Sequence, residues 1–77
     1  MISLDQLAIG QKAIIKSIET DVLPLKLIEM GCLPGNEVSL LYLAPFHDPL
    51  YLNVDETHLV IRKEVARCIM VKPFGDD

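Results

Sequence analysis

The sequence predicts a small, mainly β domain: a five-stranded antiparallel barrel with one short α-helix inserted after the first strand. Three observations carry this reading. The chain has 77 residues, enough for one domain near the lower size at which a core can hold a fold. Turn signals recur at short intervals, at Gly10, Gly31, Pro34-Gly35-Asn36, Pro45, Asp48-Pro49, Asp55-Glu56 and Pro73. The apolar runs between them alternate with period two, interrupted once by a helical period.

Residues 4–7 make a single turn leading to Gly10. Residues 12–19 form the first strand, with Ile14, Ile15 and Ile18 supplying β-branched bulk. Their imperfect alternation calls for a bulge or strong twist. Over 24–30 the period changes: Leu23, Leu27 and Met30 fall at i, i+4 and i+7, flanked by Leu25 and Ile28, with Lys26 and Glu29 on the wet side. Asp21 suits the N-cap, Pro24 the first turn and Gly31 the left-handed C′ position. A helix this short is held only by packing on the barrel.

Alternation then returns. Over 37–43, Val38, Leu40 and Tyr42 share one face, and Ser39, Leu41 and Leu43 the other. Over 50–54, Leu50, Leu52 and Val54 point inward and Tyr51 and Asn53 outward. Over 57–62, Leu59 and Ile61 point inward, opposite His58, Val60 and Arg62. One turn over 63–67, with Val65 and Ala66 inward, leads to a last strand over 68–72 that buries Ile69 and Val71 and turns Met70 out. Loop lengths make every pairing antiparallel.

Hydrophobic residues make up 51% of the chain, more than a thin barrel core can hide, and contiguous exposed apolar surface marks a contact site. The outward positions Leu41, Leu43, Tyr51, Val60 and Met70, with Phe46 on the adjoining loop, are the candidates for a partner-binding face. Seven Lys and Arg against eleven Asp and Glu give a net charge of −4. The cations are scattered, which argues against nucleic acid as a partner. The chain opens without a basic and apolar leader, and no run is long enough to cross a bilayer. The expectation is therefore a cytoplasmic protein with no membrane insertion and with reduced thiols at Cys32 and Cys68, a disulfide between the two being the alternative reading.

Catalysis is not expected. Ser3, Ser17 and Ser39 lack a glycine elbow, and Pro34-Gly35 has neither the glycine spacing nor the Lys of a phosphate-binding loop. No cofactor is required. Cys32, His47, Asp48, His58 and Cys68 can all ligate metal, but none stands at structural-zinc spacing. The best local set is His47 and Asp48 in one loop, with His58 on a strand, for a weak divalent transition metal such as iron or zinc.

The motifs Leu7-x-x-Gly10, then Leu27-x-Glu29-Met30-Gly31-x-x-Pro34-Gly35-x-x-Val38, then Asp48-Pro49, then Leu59-Val60-Ile61-Arg62-x-x-x-Ala66-x-x-Ile69-x-Val71 run in order over nearly the whole chain. In this order and spacing the chain resembles the FeoA family. That resemblance implies an SH3-like barrel that assists ferrous-iron uptake by protein–protein interaction with the FeoB membrane transporter and its GTP-binding domain. It implies a contact site around the helix and the Gly31 to Gly35 turn, which adds Lys26, Glu29 and Met30 to the partner-binding candidates. A second copy of the chain is the other candidate partner. The alternative reading is a metal-binding or metal-sensing domain related to the C-terminal barrel of DtxR-type regulators, without their helix-turn-helix. Two positions depart from the family pattern: Asp55-Glu56-Thr57 stands where the hairpin carries a Gly, and Lys26 where the helix often carries an Arg.

Overall fold

The computed structural model describes residues 1–19 and 25–75, apart from the side chain of His47. Asp21, Leu23 and Pro24, expected to open the helix, lie outside the described residues.

The strands are β1 (Ile2–Ser3), β2 (Lys12–Ile18), β3 (Glu37–Leu43), β4 (Leu50–Val54), β5 (Thr57–Ile61) and β6 (Ile69–Pro73), and the helices α1 (Leu25–Glu29) and α2 (Lys63–Ala66). They form one sheet in the order β1-β6-β2-β3-β4-β5, with every strand pairing antiparallel. The fold is the expected mainly β, SH3-like one, with six strands instead of five. The additional strand is β1, where Ile2 and Ser3 pair with Val71 and Met70. Two residues are too few for alternation to register, so this strand is visible only through its partner. The helix therefore follows the second strand of the fold.

The core is one cluster fed by all the longer strands. Ala13, Ile15, Val38, Leu40, Leu50, Leu52, Val54, Leu59, Ile61, Ile69 and Val71 are buried, joined by Leu4 and Leu7 from the 3-10 turn at Leu4–Gln6. The expected irregularity in β2 is a register shift between Ile15 and Ser17 against β6, which makes Lys16 the extra residue. A second shift falls between Leu40 and Tyr42 against β4. Here Leu41 is the extra residue, and a one-residue insertion exchanges the faces of everything beyond it. The expected faces of Tyr42 and Leu43 are thereby corrected: Tyr42 turns to solvent, and Leu43 packs against the core.

Helix α1 ends in a Schellman motif. The Cys32 N–H donates to Leu27 O at 3.0 Å and the Gly31 N–H to Ile28 O at 3.1 Å. This geometry needs a left-handed residue, and Gly31 supplies it with φ of 103°. Asn36 Nδ2 then donates to the Gly31 carbonyl at 2.6 Å, fastening the helix end to the start of β3. Leu27, Ile28 and Met30 are half-buried against the core and seat the five-residue helix, which could not persist alone.

Candidate functional site

The β3–β4–β5 meander carries the site. A two-residue turn at Asp55-Glu56 joins β4 to β5, and both residues have positive φ, 48° and 66°. This is the backbone sign of a type I′ hairpin turn, built here without the glycine or asparagine that usually relieves it. The turn fixes the register, and the register stacks residues in rows across the sheet. Tyr42 pairs with Tyr51, and Tyr51 with Val60. All three are exposed, at 55%, 39% and 55%. The tyrosine rings lie 5.5 Å apart at 59°, a tilted contact that favours both rings. The next row holds Ser39, Asn53 and His58. Asn53 Oδ1 is buried there with no donor among the described residues.

Beside this face, α1 and β5 enclose an open groove of about 260 Å³ lined by Lys26, Leu27, Met30, His58, Leu59 and Val60. Val60 belongs to both features, so the apolar row and the groove form one continuous surface. Leu41, the bulge residue, and Leu25, on α1, add exposed apolar area.

The structure thus brings together Lys26, Met30, Tyr51, Val60 and His58 from the sequence-derived candidates. Glu29 lies on α1, exposed but outside the groove lining. Leu43 leaves the set because the bulge turns it inward. Tyr42 enters it for the same reason, and no alternation rule could have found it. Phe46 stands apart in the 3-10 turn at Pro45–His47, 93% exposed and with φ of 66°. A bulky residue holding a left-handed backbone while gaining no burial is strained without a packing return.

Among the described metal candidates, Asp48 and His58 have separate places in the fold. Asp48 Oδ1 accepts the Lys63 N–H at 3.0 Å, and its other oxygen lies 4.0 Å from Arg62. The carboxylate thus caps the start of α2, where N–H groups lack helical partners. His58 is three positions along β5 from Ile61, about 10 Å by strand rise. Among the described residues no three His, Cys, Asp or Glu side chains are grouped to hold a metal ion. Cys32, just past the end of α1, is buried, and burial pushes its thiol up to about 11. Cys68 is half-buried and free, as is Cys32 of any disulfide.

The FeoA domain family matches residues 2–73 of the chain. The chain belongs to the FeoA family. The solution structure of iron(II) transport protein A from Clostridium thermocellum is similar, with 32% identity and a TM-score of 0.85, covering 96% of this chain and 46% of that one. This FeoA-family chain thus spans less than half the length of that relative. The zinc complex of FeoA from Stenotrophomonas maltophilia is 25% identical with a TM-score of 0.77, covering 94% of this chain and 91% of that one. That protein is described as a procaryotic SH3-domain protein and a candidate ferrous iron transport activating factor. IdeR of T. acidophilum is 26% identical with a TM-score of 0.78, covering 92% of this chain and 33% of that one. Among curated protein sequences no match was found. Among the described residues, no helix is long and apolar enough to cross a membrane.

Proposed function

We propose that this FeoA-family chain is an accessory protein of ferrous-iron uptake that acts by docking on the cytosolic, GTP-binding region of a FeoB-type membrane transporter. The iron-transport context rests on the family match over residues 2–73 and on the iron(II)-transport relatives. The docking mode rests on one observation: the Tyr42–Tyr51–Val60 row and the α1–β5 groove make a continuous apolar surface on an acidic, 77-residue chain. Aromatic side chains at the centre of such a patch, with a charged rim from Lys26 and Glu29, have the anatomy of a protein contact. Docking would work by differential affinity. A surface that binds one nucleotide state of the transporter more tightly shifts its cycle toward that state. Co-purification with the transporter's cytosolic domain, nucleotide-bound and empty, tests the reading. Retention by at least one form is expected, and absence from both overturns it.

A second reading, metal binding through His47, Asp48 and His58 with iron or zinc, draws on the zinc-bound relative from S. maltophilia. In this chain Asp48 is engaged by the Lys63 N–H and lies near Arg62, so an ion held there would compete with the cap of α2. Anaerobic titration with ferrous ion separates the readings: His47→Ala and His58→Ala lower affinity only if these residues are ligands.

A further inference from the structure

Strand β5 ends the sheet order and pairs, among the described residues, with β4 alone. Backbone polar groups alternate sides along an antiparallel strand, and the parity here is fixed. The Asp55 N–H donates to Glu37 O in β3, so Val54, Leu52 and Leu50 direct their backbone groups to β5 and meet those of Thr57, Leu59 and Ile61. The N–H and C=O groups of His58 and Val60 therefore face away from the sheet, alongside the α1–β5 groove. An edge of this kind is a template for another strand.

Charge along the edge identifies that strand. Asp55 and Glu56 lie at its turn end, and Arg62 and Lys63 at its far end. Parallel pairing of two such edges sets like charges side by side. Antiparallel pairing about a two-fold axis at Leu59 sets His58 against Val60 of the other copy and brings the Asp55-Glu56 turn of each copy to the Arg62-Lys63 end of the other. In this register His58 and Val60 are the residues whose outward groups exchange hydrogen bonds. The two-fold partner is then self-complementary in backbone, sequence register and charge, as an isologous contact requires. An acidic or a basic peptide segment would match only one end. We infer that two copies of this chain associate through antiparallel β5–β5 pairing centred on Leu59, joining their sheets into one. The association is weak and reversible, because one five-residue edge lies below the size of a standard stable interface. It does not depend on docking to a transporter.

Sedimentation equilibrium and amide exchange of the intact chain test this. The weight-average mass should rise from 8.6 kDa toward twice that value with concentration, and the His58 and Val60 amides should become protected in parallel. Glu56→Arg and Arg62→Glu each place like charges across the axis twice, and each alone should weaken self-association about tenfold. Mixing the two variants restores both opposite-charge pairings, so the mixture should associate as wild type does. That recovery excludes misfolding as the cause of the single losses. A wild-type chain that stays monomeric to millimolar concentration overturns the proposal. So does a dimer indifferent to both variants, or a mixture that fails to recover.

Discussion

On the inner face of the β3–β4–β5 meander, Val38, Leu40, Leu50, Leu52, Val54, Leu59 and Ile61 are at most 3% exposed, whereas Tyr42, Tyr51 and Val60 on the outer face keep 39% to 55%. The two faces are drawn from the same strands, but the inner one is wholly aliphatic, while the outer one sets a single apolar row beside the polar row of Ser39, Asn53 and His58. Curling of the sheet around one face makes that face the core. On the other, the Tyr42–Tyr51–Val60 row stays exposed although Ser39 in the neighbouring row is buried, and α1 stands off from β5 by the width of the groove. Apolar side chains retained there add nothing comparable to stability, and this is why we assign the outer face to binding.

The largest expected effect comes from breaking the inner face. Leu52→Ala removes a fully buried side chain from the centre of β4 and should cost about 2–5 kcal/mol, read from denaturant midpoints. In so small a domain that is a large share of total stability. Tyr51, the outer-face neighbour in the same strand, should behave oppositely. Tyr51→Ala should cost about 1 kcal/mol of stability, through the lost Tyr42 contact, while weakening partner binding about tenfold or more. If it destabilises as much as Leu52→Ala, the outer face is structural and the comparison fails.

Burial of Cys32 adds a pH-dependent effect to the inner side. Its folded pKa, about 11, lies above the reference value of 9.0. The unfolded chain therefore loses this proton first as pH rises. Stability from this group is whole below about pH 9 and is lost as pH climbs toward 11. Chemical denaturation across that window should show the loss, and Cys32→Ala should remove this contribution. Cys68 should react with thiol reagents in the native state well before Cys32.

Backbone conformation supplies the smaller effects. Gly31→Ala should cost about 1 kcal/mol, since a new Cβ would meet atoms no closer than 3.7 Å and the penalty is conformational. Glu56→Gly should stabilise by about 0.5–1 kcal/mol, because Glu56 holds φ of 66°. Both are read from thermal midpoints, and an unchanged midpoint would place the turn strain elsewhere.

Much of this was legible in the sequence, and the misses have definite causes. Strands β3, β4 and β5, their turn and the buried set of β6 follow from alternation and turn chemistry. The bulge in β2 announced itself because Ile14 and Ile15 break the alternation. The bulge at Leu41 did not, since Leu40, Leu41, Tyr42 and Leu43 are all apolar and a shift among them leaves no mark. Lys26, Met30, His58 and Val60 were each readable as surface candidates, but the groove exists only once α1 is laid beside β5. The capping role of Asp48 was not legible, because its partner, the Lys63 N–H, is fifteen residues away and invisible to local pattern.

The most direct test of the outer-face assignment is to map it residue by residue. The chain, isotopically labelled, would be titrated with the cytosolic GTP-binding region of the proposed FeoB-type partner while amide and side-chain resonances are followed. Shifts confined to Tyr42, Tyr51, Val60, His58 and α1 are the predicted result. Shifts centred on β1, β6 and β2, or none at saturating concentration, would contradict the account.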